Sequence, residues 1–406
     1  MPKQKITADI LILGAGIGGY EVFKKLNIGL KKSHLNKTIT IVDQNNYFTF
    51  TPLLHEVASG SIEPPQAVLS LREIIYKTPH HFLKSKVLKI NPKQRMVITE
   101  AAEITYEYCV MSLGSSVNFY GITGTNENCY TVRTMTEALR LRRDIIKKLD
   151  ACRSDLSISI IGGGYTGVEV AGQMAHLANW DLKKLYPETK IKINLIQASA
   201  TVVPQLPKKA QTKIINRLKN MGVEIFFNAG VKKITTENII LPDKEITSDI
   251  TIWSAGVENM ANKFLEQNMC EKGQIPVNEF LQHRNFTSLY GVGDIICGTN
   301  VGETSHFPQI GEAAYHQGQY VAQHLLAVLK QKKCQPFNFQ SRGTLMPIGD
   351  NYGIGVFGKM VIDGFFIWWL RRTVYVLFMP GFLRKLKLVI NWTLNLFGFR
   401  YFSDIN

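Results

Sequence analysis

Apolar runs that end at glycine recur along the chain and predict buried parallel strands. The first such run covers residues 9–13, and a similar run lies in mid-chain at residues 156–161. Each leads through a glycine-rich turn into a helical stretch, which covers residues 20–26 in the first case. Another strand follows each helix, at residues 38–42 and 191–196. The pattern predicts an α/β protein with two Rossmann-like strand–turn–helix–strand units.

The glycines of the first turn have the spacing of a dinucleotide-binding fingerprint. Gly14 permits the tight turn out of the strand, Gly16 lets the backbone approach a pyrophosphate, and Gly19 permits close helix–strand packing. The helix N-terminus adds unpaired N–H groups and a partial positive charge. Asp43, at the tip of the next strand, can accept hydrogen bonds from ribose hydroxyls. We predict that this first unit binds FAD non-covalently.

The second turn repeats this arrangement with one change. Gly162, Gly164 and Gly167 take the same three roles, and we predict that this unit binds a nicotinamide dinucleotide. Gln197 stands where an acid would bind the ribose 2′-hydroxyl of NADH and repel the 2′-phosphate of NADPH. We therefore predict NADH as donor, with weakened discrimination against NADPH. Alternatively, Gln197 binds the 2′-hydroxyl well enough for NADH to stay dominant.

Three further strands end at positions that we assign to the cofactors. Gly114 follows one strand, and Gly293 and Asp294 follow another, which places a carboxylate beside flexible backbone. We predict that these three residues contact the flavin nucleotide, although a strand ending in Gly-Asp is also common as an ordinary turn. Ala255 and Gly256 follow the strand at 250–253, and we predict that they contact the nicotinamide nucleotide.

The order of these motifs predicts one domain inserted within another. We expect an FAD-binding domain of residues 1–119 and 257–340 and an NAD(P)H-binding domain of residues 120–256. A C-terminal region follows, covering residues 341–406.

Composition excludes several classes of function. The 406 residues are 45% hydrophobic and 19% charged, as in globular proteins, and a mean hydropathy of −0.03 argues against a multi-span membrane protein. The net charge of +15 favours acidic partners, for which we expect cofactor phosphates and a membrane surface rather than nucleic acid. The six cysteines include no Cys-x-x-Cys pair, so we predict no metal site. The short polar beginning predicts neither export nor organellar import.

Taken together, the motifs resemble the type II, non-proton-pumping NADH dehydrogenases over nearly the whole chain. The resemblance is carried by residues 47–60 (YFTFTPLLHEVASG), 107–116, 137–142, 162–172, 253–257, 289–294 and the basic aromatic C-terminus. It implies transfer of two electrons from NADH through FAD to a membrane quinone of a respiratory chain, with Pro52 and Ala314 beside the flavin. It also leads us to expect a homodimer, attached peripherally to the cytoplasmic face of a bacterial inner membrane.

Three side chains are candidates for chemistry beyond binding. The family resemblance favours Glu169 as the residue that orients the nicotinamide or relays protons, while a Glu early in a helix can also simply favour the dipole. The family usually carries an Ala-Gln-x-Ala-x-Gln-Gln-Gly run at the quinone side, and here both quinone-side glutamines are replaced, by Glu312 and His316. These two could still hydrogen-bond a quinone carbonyl, and protonated His316 could donate a proton. A changed acceptor is the alternative.

The segment from 364 to 402 mixes aromatic, aliphatic and cationic residues and contains no stretch near the roughly twenty apolar residues that span a bilayer. Arg371 and Arg372 interrupt it, and three of the five tryptophans fall here, which predicts helices lying in a membrane interface. Pro380 is expected to separate two helices. The predicted apolar stripe of the second helix is Leu386, Val389, Ile390, Leu394 and Phe397. A core helix pair or a homodimer face would use the same stripe.

Two other readings of the motifs stay open. A sulfide:quinone oxidoreductase-like enzyme would need Cys129 to converge with Cys297 or Cys334 across the flavin, and would leave the second nucleotide motif unexplained. The non-enzymatic alternative is a redox-sensing flavoprotein whose basic tail binds a membrane or nucleic acid.

Overall fold

The computed structural model describes residues 3–151, 155–379 and 381–394. It divides into two compact units. The first unit comprises the chain up to Phe50 together with Val68–Val117 and Val257–Ser341, and the second comprises Thr51–Ala67, Asn118–Gly256 and the chain from Arg342 onward.

Helices and strands alternate along most of the chain. The helices are α1 (Ile17–Lys32), α2 (Leu54–Ala58), α3 (Pro64–Ala67), α4 (Leu71–Ile75), α5 (Thr125–Asn128), α6 (Met135–Ala151), α7 (Tyr165–His176), α8 (Lys183–Leu185), α9 (Lys208–Asn220), α10 (Gly311–Leu329), α11 (Phe365–Phe378) and α12 (Phe382–Leu394). The strands are β1 (Gln4–Leu13), β2 (Ile39–Asp43), β3 (Tyr47–Thr49), β4 (Val68–Ser70), β5 (His81–Lys84), β6 (Val87–Asn91), β7 (Met96–Thr99), β8 (Ala102–Met111), β9 (Ser115–Val117), β10 (Cys129–Tyr130), β11 (Leu156–Ile161), β12 (Ile191–Ile196), β13 (Val223–Phe226), β14 (Lys233–Ile234), β15 (Asn238–Ile240), β16 (Glu245–Thr247), β17 (Ile250–Trp253), β18 (Val257–Asn259), β19 (Ile275–Pro276), β20 (Gln282–His283), β21 (Phe286–Gly291), β22 (Ile296–Cys297), β23 (Thr344–Pro347), β24 (Gly353–Phe357) and β25 (Met360–Gly364).

Within the described residues, the first unit is built on an eight-stranded sheet. Six of its strands follow the order β20-β21-β8-β1-β2-β5, and the other two are β7, which pairs with β8, and β6, which pairs with β7. The C-terminal half of the central strand β1, residues 10–13, is apolar and buried, and β1 pairs in parallel with β2 and β8. Leu13 lies opposite Val42 on one side and Met111 on the other. This register brings the ends of three strands to one edge of the sheet, where α1 begins.

The second unit repeats this plan with a five-stranded parallel sheet of order β10-β17-β11-β12-β13 within the described part of the chain. Ile161, at the end of the central strand β11, lies opposite Ile196 and Trp253. Two small antiparallel sheets complete the unit, β14-β15-β16 and β23-β24-β25. Again three parallel strands end together at the point where a glycine turn leads into a helix, α7.

The predicted fold class is confirmed, and the strands predicted at 156–161 and 191–196 have the same bounds in the structure. Helix α1 is longer than the predicted 20–26, since it already includes Gly18 and Gly19. Those glycines have weak helix propensity, but a Cβ on Gly19 would lie 2.0 Å from the Gly14 oxygen, so only glycine lets the helix begin this close to the strand.

One segment groups differently from the expected domains. Thr51–Ala67 belongs to the second unit, where α2 packs against α6 and α7. The Gln173 amide donates a 2.6 Å hydrogen bond to the buried Ser61 hydroxyl. The segment from Arg342 onward also belongs to the second unit. The functional domain boundaries themselves stay a prediction.

Candidate functional site: two glycine turns and a buried charge cluster

The first glycine turn is closed by backbone packed against backbone. Gly14 has a φ of +89°, and a Cβ there would lie 2.6 Å from the Ser112 carbonyl oxygen. The Ser112 hydroxyl hydrogen is shared between the carbonyl oxygens of Leu13 at 2.9 Å and Gly14 at 2.7 Å. At Gly16, by contrast, a Cβ would meet no atom within 4 Å. The turn therefore presents bare backbone to open space at the N-terminus of α1, which fits the pyrophosphate of a dinucleotide.

Asp43 joins the second strand to this turn. Its carboxylate accepts hydrogen bonds from the backbone N–H groups of Ala15 and Asn45, each at 2.7 Å. Burial raises the pKa of Asp43, and the two N–H donors oppose that rise. Each oxygen keeps a lone pair free of these contacts, so the carboxylate can still accept a ribose hydroxyl. The sequence did not reveal that Asp43 also holds the turn itself.

The Gly293-Asp294 step lies in the same unit as the first glycine turn. Gly293 has a φ of +84°, and its N–H donates to the Gln317 side-chain oxygen at 2.7 Å. The Asp294 carboxylate accepts the Ser115 hydroxyl at 2.7 Å. A Cβ on Gly293 would lie 3.6 Å from the Cβ of Ala314. Gln317 and Ser115 were not among the predicted binding residues. The sequence offered one indication of Gln317, because it predicts a helix after the Gly-Asp step, and Gln317 lies on that helix, α10.

Two other predicted flavin residues lie in different units. Gly114 belongs to the first unit and has a φ of +71°, which favours glycine although a Cβ there would meet no atom within 4 Å. Pro52 belongs to the second unit, where its carbonyl oxygen accepts a 3.2 Å hydrogen bond from Arg371. The assignment of Pro52 to the flavin stays a prediction.

The second glycine turn reproduces the first. Gly162 has a φ of +102°, and a Cβ on Gly167 would lie 1.7 Å from the Gly162 oxygen. At Gly164 a Cβ would meet nothing within 4 Å, as at the first turn. The Ser254 hydroxyl hydrogen is shared between the carbonyl oxygens of Ile161 at 2.9 Å and Gly162 at 3.0 Å. This turn therefore fits a second pyrophosphate for the same physical reason.

Gln197 takes the place that Asp43 has in the first unit. Its side-chain oxygen accepts the Gly163 N–H at 2.7 Å. Its amide nitrogen donates to the Ser199 hydroxyl at 2.6 Å and to the Thr201 carbonyl oxygen at 3.2 Å. The amide thus makes the same structural hydrogen bond as a carboxylate without bringing a negative charge to the ribose side of the turn.

Ala255 and Gly256 directly follow Ser254 at the end of β17. A Cβ on Gly256 would lie 2.2 Å from the hydroxyl oxygen of Tyr120, which is 60% exposed. The same hydroxyl is 3.5 Å from the Ala255 carbonyl oxygen. Sequence reasoning did not single out Tyr120, which covers the two predicted nicotinamide-side residues.

Glu169 lies in a cluster of charged side chains in the second unit. It is beyond the first turn of α7, which carries no acid, so a helix-dipole role does not explain its position. Its carboxylate is 3.5 Å from an Arg371 guanidinium nitrogen and 4.0 Å from His55 Nδ1. Burial raises the pKa of Glu169 to about 7, Arg371 opposes the rise, and Glu56 adds to it. A carboxyl group that titrates near neutral pH is typical of functional sites.

Glu312 and His316 lie four residues apart on α10 in the first unit, and therefore on one face of that helix. The Glu312 carboxylate accepts the Ser341 hydroxyl at 3.1 Å. The His316 ring lies 6.2 Å from the Phe339 ring and 5.5 Å from the Tyr315 ring. Their roles at the acceptor side stay predictions.

The C-terminal segment forms two helices, α11 and α12, with Pro380 and Phe397 outside the described residues. No helix in the described part of the chain is long and apolar enough to cross a membrane. Large apolar side chains are exposed along both helices: Phe365, Phe366, Leu370, Leu377, Phe382, Leu383, Leu386, Ile390 and Leu394.

The interpretation of the tryptophans and arginines in this segment was wrong in part. Trp368 and Trp392 are each 2% exposed and therefore form no interface belt. Arg371 and Arg372 are buried as well, with Arg372 stacked on the rings of both tryptophans. Aromatic residues and cations occur together both where they stack inside a folded unit and where they lie at a membrane surface. The composition is the same in the two cases, so the sequence could not distinguish them.

Two of the cysteines that the sulfide-oxidising alternative needs, Cys129 and Cys297, are not activated. Burial raises the pKa of Cys129 to about 12 and that of Cys297 to about 11, which keeps both as thiols. The five cysteines among the described residues are free.

Two glycine turns of the same geometry, one held by the acid Asp43 and one by the amide Gln197, are typical of a protein with two dinucleotide-binding folds. The chain belongs to the pyridine nucleotide-disulphide oxidoreductase family, whose model matches residues 8–318.

More specific relatives cover almost the entire chain. The type II NADH:quinone oxidoreductase of Staphylococcus saprophyticus is 24% identical over 87% of this chain and 91% of its own length. A probable NADH dehydrogenase of Dictyostelium discoideum is 26% identical over 94% of this chain and 88% of its own. The structure of NDH2 from Plasmodium falciparum in complex with NADH is similar in fold, with a TM-score of 0.87 at 19% identity, covering 99% of this chain and 100% of that one. These comparisons confirm the resemblance found in the sequence.

Proposed function

We propose that this protein is an FAD-dependent NADH:quinone oxidoreductase that passes two electrons to a membrane quinone without pumping protons. The observation that carries the proposal is the pair of phosphate-binding turns, each with an open glycine at a helix N-terminus. The relatives named type II NADH:quinone oxidoreductase support the same assignment. When bound, FAD supplies the redox chemistry, accepting a hydride equivalent from NADH and delivering electrons to the quinone.

The residues of the chain bind and position the reactants rather than attack them. Gly14, Gly16 and Gly19 with Asp43 hold one dinucleotide, and the Gln317–Gly293 hydrogen bond supports the loop that carries Asp294. The second turn holds the nicotinamide nucleotide with Gln197, which brings no charge against a 2′-phosphate. We therefore keep NADH as the donor and NADPH as a usable substitute.

Anaerobic spectroscopy tests this proposal directly. The purified protein should show a flavin spectrum that NADH bleaches and a short-chain quinone restores. The variant Gly167→Ala is a matched control, since it should keep the flavin spectrum and still bleach with dithionite but respond weakly to NADH. Recovery only with oxygen or a soluble dye would point to another acceptor. Absence of bleaching by either nucleotide would refute the enzyme assignment.

A different acceptor is the second candidate, and the replacement residues Glu312 and His316 are the observation that favours it. Restoring the family pattern with Glu312→Gln and His316→Gln separates the two. If quinone is the acceptor, the double variant should reduce it at a comparable or higher rate. If the acceptor has changed, the native one should be lost while quinone reduction appears.

Attachment to a membrane surface belongs to the same proposal. The exposed apolar residues of α11 and α12 fit insertion into the headgroup region, where Lys387 and its neighbours meet acidic lipids. We place the protein, as a homodimer, on the cytoplasmic face of a bacterial inner membrane. Phe382→Glu with Leu383→Glu should abolish co-sedimentation with anionic vesicles, whereas Tyr76→Glu with Leu185→Glu, which adds the same charge elsewhere, should not. Equal binding of both variants would contradict this attachment.

A further inference from the structure

Helix α11 exposes apolar side chains on one side and buries a cation on the other. The Arg371 side chain is 1% exposed. Taking a guanidinium out of water costs several kcal/mol unless charges and hydrogen bonds replace the solvent. The buried position of Arg371 therefore depends on the groups that face it.

Three acceptors from distant parts of the second unit surround Arg371. One terminal nitrogen lies 3.3 Å from a Glu56 carboxylate oxygen. The other lies 3.2 Å from the Pro52 carbonyl oxygen and 3.5 Å from a Glu169 carboxylate oxygen. The guanidinium carbon also lies 4.2 Å from the centre of the Tyr375 ring. Arg371 thus joins α11 to α2 and α7.

The two carboxylates have different surroundings. Glu56 receives the Trp392 indole N–H at 2.9 Å and faces Arg372 at 3.8 Å, in addition to Arg371. Glu169 faces Arg371, the ring of Tyr375 and His55, and it is repelled by Glu56. Burial and the neighbouring arginines lower the pKa of His55 well below its usual value, so His55 adds no positive charge. Without Arg371, Glu56 would keep its contacts with Arg372 and Trp392, whereas Glu169 would lose its guanidinium partner.

We propose that Arg371 is the positioning residue that favours the ionised form of the Glu169 carboxylate and fixes it in place for the reaction. This inference rests on the proposed function, in which Glu169 acts at the nicotinamide side. The proposal gives α11 a role beyond membrane attachment. One face of α11 exposes Phe366, Leu370 and Leu377, and the other face supplies the counter-ion of Glu169. Deleting the chain from residue 364 would remove both at once.

The sign of the pH effect follows from the surroundings of Glu169. Its pKa is about 7 with Arg371 present, and an opposite charge at this distance typically lowers a carboxyl pKa by about 1–3 units. Removing the cation should therefore raise the pKa of Glu169, so that the carboxyl group is protonated at neutral pH. Activity that needs the ionised form would then move to higher pH.

The test is a titration of the holoenzyme by infrared spectroscopy, with the Glu169 carboxyl band identified by its loss in Glu169→Gln. Arg371→Gln should move the midpoint upward by about one pH unit or more. The acidic limb of the kcat/KM profile should shift with it, and Arg371→Gln in a Glu169→Gln background should produce no further pH shift. Arg372→Gln is the matched control, because Arg372 pairs with Glu56 and Asp350.

An unchanged midpoint in Arg371→Gln, or an equal shift in Arg372→Gln, would overturn the proposal. If Arg371→Gln does not fold with its flavin, Arg371→Met replaces it: this variant also removes the charge and should give an upward shift, and no shift again overturns the proposal. The infrared titration does not need turnover. A protein that fails to reduce quinone would therefore refute the proposed function without affecting this result.

Discussion

The two glycine turns of this protein are built alike, down to the serine that closes each. Ser112 follows β8 and Ser254 follows β17, and each places its hydroxyl on the last carbonyl of the central strand and on the first glycine. The second strand contributes one side chain that accepts an N–H from the turn, Asp43 in the first unit and Gln197 in the second. The backbone design is the same in both units.

The difference lies in the charge of that one side chain. Asp43 accepts two backbone N–H groups and donates none, so a carboxylate suits every contact. Gln197 accepts one N–H and donates to two oxygens, so an amide suits every contact. The hydrogen bond to the turn is therefore common to both units, whereas the charge of the side chain that accepts it differs between them.

Alanine at the third glycine should have the largest effect and should separate the two sites. The Cβ of Gly19→Ala would overlap the Gly14 oxygen, so this variant should lose FAD and its visible spectrum. Gly167→Ala should keep the flavin, while the rate of its reduction by NADH falls by about 10²-fold or more because the helix must move. Gly16→Ala is the control: its Cβ meets no protein atom, so Tm should hold while FAD binding weakens. Loss of flavin in Gly167→Ala would contradict this division of roles.

Exchanging acid and amide should have the next largest effect. Asp43→Asn would turn an N–H donor towards a backbone N–H, at a cost of about 1–3 kcal/mol, so FAD affinity should fall roughly 5- to 150-fold. Gln197→Glu keeps the Gly163 bond but loses the donor to the Thr201 carbonyl oxygen and adds a charge. We expect kcat/KM to fall for both nucleotides, and to fall about tenfold or more further for NADPH than for NADH. Equal losses for both nucleotides in Gln197→Glu would argue against Gln197 as the selectivity residue.

Removing the serine hydroxyls should have the smallest effect and the most similar one in the two units. Ser112→Ala and Ser254→Ala each delete one hydroxyl shared between two carbonyl oxygens, worth about 1 kcal/mol. We expect a decrease in Tm of about 2–4 °C in each variant, with flavin content and NADH reduction preserved. Thermal denaturation of the two holoenzymes measures both, and a much larger loss in one variant would show that the turns are not equivalent.

The parallel strands and both turns could be predicted because local pattern alone determines them. A continuous apolar run is stable only when both faces are covered, and a glycine triplet at the end of such a run has few other uses. The same reasoning located Asp43 and Gln197, since each is the first polar side chain after a buried strand.

The supporting residues could not be predicted in this way. Ser112, Ser254 and Gln317 gain their roles from strands and helices that are adjacent in space but distant in the chain. To predict which serine contacts which turn, one must know the order of the strands in the sheet. The periodicity of the sequence does not reveal that order.

The C-terminal segment shows most clearly which features follow from the sequence and which depend on the tertiary structure. The sequence by itself determined that the region after residue 364 contains two amphipathic helices rich in aromatic residues and cations. Only the tertiary structure decided that Arg371 is buried beside Glu56, 315 positions earlier, while phenylalanines and leucines of the same helices face outward. The physical reason is that the free energy of burying a charged side chain depends on its partners. An arginine can be buried only where carboxylates from other elements lie close enough to neutralise it.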